Sequence, residues 1–318
     1  MTFFDKISMI ALCFFASVAA AQDYPIKPIN FIVGFPPGGG ADLVARLIGQ
    51  NLAKNWSQQV IVINRPGADS VIGYESASRA AADGYTILLI TTEFAINPSL
   101  YSPLPYNTAK DFHPISLAAT APYVLVIHPS VPAQSVKDLI KLTKAKPDQL
   151  TYASSGTGVY LASEMFKSMA GLKILRVPYK GGPQAVTDVI AGHVGLMFPS
   201  MPTGYPHVKA GKLRALAVTS ARRSSGAPDV PTIAEAALPG YEANQWWGVV
   251  ARAGTPPNII NRLNDEIVKI IGTPDFRARL AGQNVEATGN NSEQFGKFIS
   301  AEIEKWAKVV KDSGARLN

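Results

Sequence analysis

Cysteine is almost absent from this chain, which has a single one among its 318 residues. That residue, Cys13, lies in an N-terminal segment typical of a cleavable export signal: Lys6, an apolar run from 7 to 18, and small residues at Ala19–Ala21. The run is too short to favour a membrane-spanning helix, although an uncleaved anchor is the alternative. Cleavage near Ala21 would remove the cysteine and exclude disulfides, thiol nucleophiles and thiolate metal sites.

Catalytic and metal-binding signatures are also missing. The glycines at 38–40 do not complete a G-x-G-x-x-G fingerprint, because position 43 is Leu, and the chain has no phosphate-binding P-loop, G-x-S-x-G or H-E-x-x-H motif. The histidines lie far apart and lack ligand spacing: His113, His128, His193 and His207. We therefore expect no catalytic residue, no metal and no cofactor.

No block of like charge stands out, although 30 basic and 23 acidic residues give a net charge of +7. The basic residues are scattered and no nucleic-acid-binding motif is present, so we expect no nucleic-acid partner. The excess weakly favours anionic partners, and general solubility explains it equally well. A hydrophobic content of 47% is ample for real cores.

Short apolar runs alternate with stretches of helical periodicity, which predicts an α/β protein with mixed, mostly parallel sheets flanked by helices. Ser135 with Asp138 resembles a capping box at one helix start. The predicted strands are Ile29–Phe35, Val60–Ile63, Thr86–Thr91, Tyr123–Ile127, Leu150–Ala153, Ile174–Val177, Val194–Phe198, Ala215–Thr219 and Trp247–Ala251. The predicted helices are Ala41–Lys54, Val136–Lys144, Tyr160–Met169, Pro183–Ala191, Ile259–Ile271 and Glu293–Lys311.

Two apolar segments framed by proline or glycine are candidate crossings between two lobes. They are Ala121–Pro129 and Asn244–Pro256, and the second begins with a Trp246–Trp247 pair. If both cross, one lobe comprises residues 22–122 and 246–318, and the other comprises residues 123–245. A cleft between two α/β lobes is a common place for a ligand.

A glycine-rich loop at positions 34–42 joins a predicted strand to a predicted helix. Apolar residues at 43, 44, 47, 48 and 52 follow it with helical spacing. The first-turn amides of such a helix lack internal partners and carry partial positive charge, and glycine lets a ligand approach them. The loop is therefore a candidate anion site, although a tight strand-to-helix turn would give the same pattern.

A second loop, at Tyr152–Gly158, repeats this design and adds hydroxyl donors at Ser154, Ser155 and Thr157. Two such loops, one from each lobe, would hold one anion from both sides. Helix capping is the simpler alternative. Weaker candidates follow other predicted strands, and each also suits an ordinary cap or packing role: a loop at Thr91–Phe94, Tyr179 and Lys180 before a helix, and Phe198–Ser200.

Taken in order, these stretches resemble the Bug-type periplasmic solute receptors, the substrate-binding component of tripartite tricarboxylate transporters. The resemblance covers nearly all of the predicted mature chain. Its hallmarks are Tyr24–Ile29, Phe35–Gly39 with Asp42, Asn64–Ala68, Asp83–Tyr85, Asn97–Pro98, Lys110–Phe112, Tyr152–Gly156, Val177–Gly181, Gly211–Val218, Val230–Thr232, Gly240–Tyr241 and Ala253–Pro256.

The resemblance implies a two-lobed type II periplasmic-binding-protein fold with two hinge crossings. It implies a monomer in the periplasm that captures a small carboxylate (a di- or tricarboxylate, an acidic amino acid or an aromatic carboxylate) and delivers it to a membrane permease. Backbone amides, hydroxyls and ordered water would make the contacts. The alternatives are a secreted enzyme acting on a carboxylated substrate and a receptor for a membrane sensor kinase.

Carried over by position, the resemblance also implies the ligand-binding residues. The sequence departs from the family near the ligand, because the second loop is shorter and Tyr160 stands where a histidine is common, while Gly195 replaces a frequent aspartate. The implied residues are Phe35, Pro36, Pro37, Gly38, Gly39, Gly40, Ala41, Asp42, Thr91, Thr92, Ser154, Ser155, Gly156, Thr157, Gly158, Tyr160, Tyr179, Gly181, Phe198 and Ser200.

Overall fold

Two β-sheets flanked by helices make up the fold in the computed structural model, which describes residues 24–179 and 181–316. The strands are β1 (Ile29–Val33), β2 (Val60–Asn64), β3 (Thr86–Thr91), β4 (Phe112–Pro122), β5 (Val124–Ile127), β6 (Thr151–Ser155), β7 (Leu175–Tyr179), β8 (Leu196–Met197), β9 (Arg214–Val218), β10 (Asn244–Arg252) and β11 (Glu286–Ala287). The first sheet has the order β11-β4-β10-β3-β1-β2, and the second has the order β7-β6-β8-β5-β9.

Parallel and antiparallel ladders are mixed in both sheets. β1 pairs parallel with β2 and β3, and β6 pairs parallel with β7 and β8. β10 instead runs antiparallel between β3 and β4, β11 is antiparallel to β4, and β5 is antiparallel to β8 and β9. The sheets are mixed as the sequence predicts, but parallel pairs do not predominate.

Helices cover these sheets and bury their apolar faces against them. They are α1 (Gly40–Trp56), α2 (Val71–Ser78), α3 (Thr92–Leu100), α4 (Val136–Ala145), α5 (Thr157–Ala170), α6 (Gly182–Ile190), α7 (Met201–Lys209), α8 (Ile233–Ala236), α9 (Pro257–Gly272), α10 (Pro274–Ala281) and α11 (Ser292–Ser313). None of the described helices is long and apolar enough to cross a membrane. The central strands β1 and β3 are buried almost throughout, which is typical of a sheet covered on both faces.

Two local predictions are wrong. The segment Thr91–Phe94 is not a loop, because β3 ends at Thr91 and α3 begins at the next residue. The long strand β4 is missing from the sequence prediction, because its prolines and polar residues are unusual in a strand. Its Pro114 lies beside a register shift in the ladder with β10, where a missing amide donor is tolerated.

The chain passes between the sheets at two adjacent places. The first lies between β4 and β5 at Tyr123, whose amide donates to the Thr219 hydroxyl at 2.8 Å. The second lies after β9, where the Ala243 amide donates to the Thr219 carbonyl at 3.0 Å. β10 belongs wholly to the first sheet, so the second crossing precedes most of Asn244–Pro256. The lobe boundaries 22–122 plus 246–318 and 123–245 stay a prediction.

Candidate functional site

A cleft between the two sheets is lined by loops from both of them. It consists of a large chamber of about 800 Å³ and a small chamber of about 240 Å³. Strand-to-helix turns of both sheets line them, as expected where ligands bind α/β proteins at the carboxyl ends of strands. Residues common to both chambers form a boundary between them, namely Phe35, Gly40, Ser155, Gly156, Gly182, Pro183 and Gln245.

Six helices begin at this cleft, and the residue before each helix lines one of the chambers. None of these six residues caps its helix with a side-chain hydrogen bond: Gly39, Ser70, Thr91, Gly156, Gly181 and Ser200. Of the five described helices that begin elsewhere, α9 has no capping side chain and the other four are capped by Ser135, Thr232, Thr273 and Asn291. The cleft thus gathers helix N-termini whose amides carry partial positive charge, a favourable environment for an anion.

The first glycine loop holds its shape through Asp42, which lies behind the lining. The Asp42 carboxylate accepts from the Gly38 amide at 2.9 Å, from Arg46 Nε at 2.9 Å and from Asn64 Nδ2 at 3.0 Å. Burial alone would raise the pKa of this carboxyl, but these hydrogen bonds together hold the pKa below its ordinary value. Asp42 therefore fixes the turn rather than facing the cleft.

Open space faces the backbone of both glycine loops and of Gly181, which precedes α6. A Cβ built at Gly38, Gly156 or Gly181 would meet no atom within 4 Å, and one at Gly39 would meet only the Pro36 carbonyl, at 3.9 Å. Gly156 has φ of 82° and so needs glycine for its conformation as well. A ligand atom can therefore approach these backbones from the cleft.

Gly40 has a different role, since a Cβ there would come within 2.9 Å of Trp247 Cζ2. The Trp247 ring is buried and lines the small chamber. Its Nε1 donor has no hydrogen-bond partner among the described residues, and the same is true of the buried Thr157 hydroxyl in the large chamber. Unpaired buried donors are costly, so each is a place where a ligand acceptor would be stabilising.

The structure brings fourteen of the twenty predicted site residues to the cleft and places six behind it. The large chamber is lined by Phe35, Pro36, Pro37, Gly38, Gly39, Gly40, Ala41, Thr91, Ser155, Gly156, Thr157, Tyr179 and Gly181. Ser200 lines the small chamber. The predicted residues absent from both linings are Asp42, Thr92, Ser154, Gly158, Tyr160 and Phe198.

Packing accounts for several residues behind the lining. The Thr92 hydroxyl accepts from the Trp246 amide at 3.2 Å and so joins α3 to β10. Gly158 lies against Tyr123, whose hydroxyl would be 2.5 Å from a Cβ at this position. Phe198 is fully buried, with its ring centroid 5.6 Å from that of Phe166.

Arg176 is a cleft residue that the sequence analysis missed. It lies in β7 and lines the large chamber, where its Nε donates to the Ser154 hydroxyl at 2.8 Å. Its guanidinium lies 3.8 Å from the centroid of the Tyr160 ring, a cation–π contact. Ser154 and Tyr160 therefore hold this arginine rather than facing the cleft themselves. Its position inside a predicted strand gave no signal of a site.

Asp69 faces the large chamber from the other side of the cleft and was also missed. Residues Ala68, Asp69 and Ser70 all have positive φ, of 47°, 47° and 72°. Such a run of left-handed residues is uncommon and is found at functional turns. The Tyr101 hydroxyl donates to Asp69 Oδ2 at 3.0 Å. Burial raises the pKa of Asp69, while this hydrogen bond and the positive charge of Arg176 oppose the rise.

Glu93 is a buried carboxyl group that lines the small chamber. It accepts a hydrogen bond from the Thr91 hydroxyl and another from the Gly158 amide at the start of α5. Burial, together with the negative charge of Asp69, raises its pKa above the ordinary value despite these hydrogen bonds. Glu93 thus links α3 of the first sheet to α5 of the second. From the sequence alone, Glu93 belongs only to the predicted loop Thr91–Phe94.

No group of three or more histidine, cysteine or acidic residues that would hold a metal occurs in the described part of the chain. Among the described residues, the polar groups that line the cleft are backbone amides, hydroxyls, the Gln245 carboxamide, the Trp247 indole N–H, one guanidinium and two carboxyls. They are suited to binding an anion and contain no recognisable nucleophile and base pair.

Comparisons with known proteins agree with this arrangement. Residues 44–315 match the family described as "Tripartite tricarboxylate transporter family receptor". The chain is 38% identical to Protein BugT of Bordetella pertussis over 312 residues, which cover 97% of this chain and 96% of BugT. Two solved structures from Rhodopseudomonas palustris are similar. Rpa4515 with adipate has 35% identity and a TM-score of 0.84, covering 93% of this chain and 100% of that one. MatC with bound malate has 27% identity and a TM-score of 0.78, covering 90% and 100%.

The fold and the cleft are those of a solute-binding receptor and not of an enzyme. The chain belongs to the receptor family of tripartite tricarboxylate transporters, whose members are periplasmic. The resemblance to Bug-type receptors that the sequence shows is therefore confirmed. The predicted α/β fold of two sheets with flanking helices is confirmed as well.

Proposed function

We propose that this receptor binds a small carboxylate in the cleft between the two sheets and delivers it to a membrane permease. The observation that carries the proposal is that six helices begin at the cleft. In none of them does the side chain of the preceding residue bond a first-turn amide. A carboxylate oxygen placed among them would accept hydrogen bonds from first-turn amides and lie in the favourable field of the helix dipoles.

The unpaired donors support the same function. The Thr157 hydroxyl, at the start of α5, and Trp247 Nε1, in β10, are buried and have no hydrogen-bond partner among the described residues, and both residues line the cleft. A bound carboxylate, or water held by it, would satisfy them. The relatives add support, since Rpa4515 was solved with adipate and MatC with malate.

The contacting residues follow from the lining. We propose that the amides of Gly39, Gly40, Gly156 and Gly181 and the hydroxyl of Thr157 contact the carboxylate. The six predicted residues behind the lining would support this site: Asp42 shapes the first loop, Ser154 and Tyr160 hold Arg176, and Thr92, Gly158 and Phe198 pack the loops in place.

Location and partners complete the proposal. The predicted export signal, residues 1–21, lies outside the described residues, and its removal would release a monomeric receptor into the periplasm. Closure of the lobes 22–122 plus 246–318 and 123–245 about their two crossings would enclose the ligand and present a docking surface to the permease.

A thermal-shift screen of the mature protein tests this function. The panel holds C4 to C7 dicarboxylates, citrate, acidic amino acids, aromatic carboxylates and uncharged analogues of the same size. A ligand at 100 times its Kd stabilises by about 2.7 kcal/mol. At about 2–4 °C per kcal/mol, the expected rise in Tm is about 5–10 °C. A rise for carboxylates alone supports the proposal. Equal responses to the uncharged analogues would contradict it, as would no response from protein shown by mass spectrometry to hold no co-purified ligand.

A further inference from the structure

The two chambers of the cleft differ in charge. Arg176 is the one basic residue among the described residues that line either chamber, and it lines only the large one. The small chamber instead contains the buried carboxyl of Glu93 beside apolar side chains such as Val159 and Met197. Each chamber has one carboxyl, Glu93 in the small chamber and Asp69 in the large one, so Arg176 is what distinguishes them, and it would attract a second negative group of a ligand into the large chamber.

Arg176 is held in a fixed orientation. Its Nε is bonded to the Ser154 hydroxyl, and the Tyr160 ring lies against the face of its guanidinium. It forms no salt bridge with any acidic residue in the described ranges 24–179 and 181–316. Because Ser154 bonds Nε and the Tyr160 ring covers one face, the two terminal nitrogens of the guanidinium stay available. They can donate two parallel hydrogen bonds to one carboxylate, the bidentate geometry that arginine favours.

We propose that Arg176 binds the second carboxylate of an α,ω-dicarboxylate whose first carboxylate lies at the helix N-termini on the boundary between the chambers. This inference rests on the proposed function and narrows it from carboxylates in general to dicarboxylates. Ser154 and Tyr160 act as positioning residues, since they keep the guanidinium in place without touching the ligand.

Asp69 lies across the same chamber and offers a competing recognition mode. An ionised Asp69 would attract the ammonium group of an amino acid, whereas a dicarboxylate needs this carboxyl to be neutral or turned toward Tyr101, its hydrogen-bond partner. An Asp69→Asn variant separates the two modes. It keeps or strengthens dicarboxylate binding if Arg176 is the recognising group, and it abolishes binding if an ammonium is recognised.

The test is titration calorimetry with aspartate, glutamate, succinate, glutarate, adipate and pimelate, and each of the four dicarboxylates without an amino group is matched to the monocarboxylate of equal carbon number. The proteins are wild type, Arg176→Gln, Arg176→Lys and Asp69→Asn. Arg214→Gln is the control, because Arg214 is a half-buried arginine of the same sheet that does not line the cleft. Its Nη1 donates to the Ala133 carbonyl at 3.1 Å. Circular dichroism and Tm establish that each variant is folded.

We expect one dicarboxylate to bind wild type at least about 30-fold more tightly than its matched monocarboxylate. Arg176→Gln should remove this preference and change monocarboxylate affinity less than about threefold, while Arg176→Lys restores part of it and Arg214→Gln leaves it intact. Equal losses for both ligand classes in Arg176→Gln, or loss of binding in Asp69→Asn with an amino acid as the tightest ligand, would overturn the assignment. Wild type that binds no carboxylate at all would instead overturn the proposed function.

Discussion

Some residues of the cleft belong to a short sequence motif, and others are brought there only by the tertiary fold. Gly38 and Gly39 line it as the glycine loop predicts, because a strand, a turn and a helix start are encoded within about ten consecutive residues. Arg176 and Asp69 could not be found in this way. Their place depends on how two sheets face each other, and neither residue belongs to a motif. Ser154 illustrates the same limit, since its hydroxyl turns away from the cleft to bond Arg176.

Glu93 gives a prediction about pH. Its raised pKa, caused first by burial, means that the folded protein holds this proton more tightly than the unfolded chain does. The contribution of Glu93 to the free energy of unfolding therefore falls as pH rises from the ordinary glutamate pKa of about 4.3 to the raised one, and it is constant above that. Glu93→Gln cannot titrate, so wild type should lose stability relative to this variant as pH rises through the window.

Thermal melts of both proteins between pH 4.5 and 8 measure this difference. The negative charge of Asp69 contributes to the raised pKa of Glu93, so its effect does not cancel between the two proteins, and the same comparison is repeated with Asp69→Asn in both. Parallel curves for wild type and variant would show that Glu93 has an ordinary pKa and would contradict its described environment.

At the scale of elements, regular periodicity was predictable and long-range pairing was not. α1, α4 and α9 begin and end close to their predicted positions, and the Ser135 side chain does cap α4. β4 was missed because its stability comes from pairing with β10 and β11 rather than from its own composition. The short helices α2 and α3 carry too few turns to give a clear apolar stripe.

The contact between β10 and α11 gives a second prediction. A Cβ at Gly248 in β10 would be 2.0 Å from Phe295 Cζ in α11, so the helix can pack here only against a glycine. Gly248→Ala should lower the free energy of unfolding by about 1–3 kcal/mol or more through overpacking.

Gly296→Ala is the matched control in the helix itself. A Cβ there would meet Pro114 Cγ at 3.5 Å, an ordinary contact, and alanine favours a helix over glycine by up to about 1 kcal/mol. This variant should be neutral or stabilised in the same urea titration. Equal effects of the two substitutions would mean that β10 and α11 are not packed as described.

At the scale of the whole molecule, the sequence predicted two lobes because proline-framed strands separate two sets of alternating elements. The tryptophan pair next to the second crossing has its two rings in different environments. Trp247 lines the small chamber, whereas Trp246 Nε1 donates to Glu302 at 3.0 Å on the side of α11. The sequence could not distinguish them, because consecutive residues of a strand point to opposite faces.

Ligand-dependent fluorescence should therefore follow one tryptophan. We expect saturating carboxylate to change the emission of wild type and of Trp246→Phe, and to leave Trp247→Phe nearly unchanged. A change that disappears in Trp246→Phe and persists in Trp247→Phe would place the responsive region at the crossing rather than in the cleft.

The most direct test of the central claim, a carboxylate at the helix N-termini of the cleft, is a calorimetric titration of Gly39→Asp against Gly39→Asn. Both side chains have room, since a Cβ at Gly39 meets only the Pro36 carbonyl at 3.9 Å, and they differ mainly in charge. Like charges facing each other in a binding site cost several kcal/mol, so Gly39→Asp should bind the best carboxylate of the screen at least about 100-fold more weakly than Gly39→Asn. Equal affinities in the two variants would show that the anion does not bind at this loop.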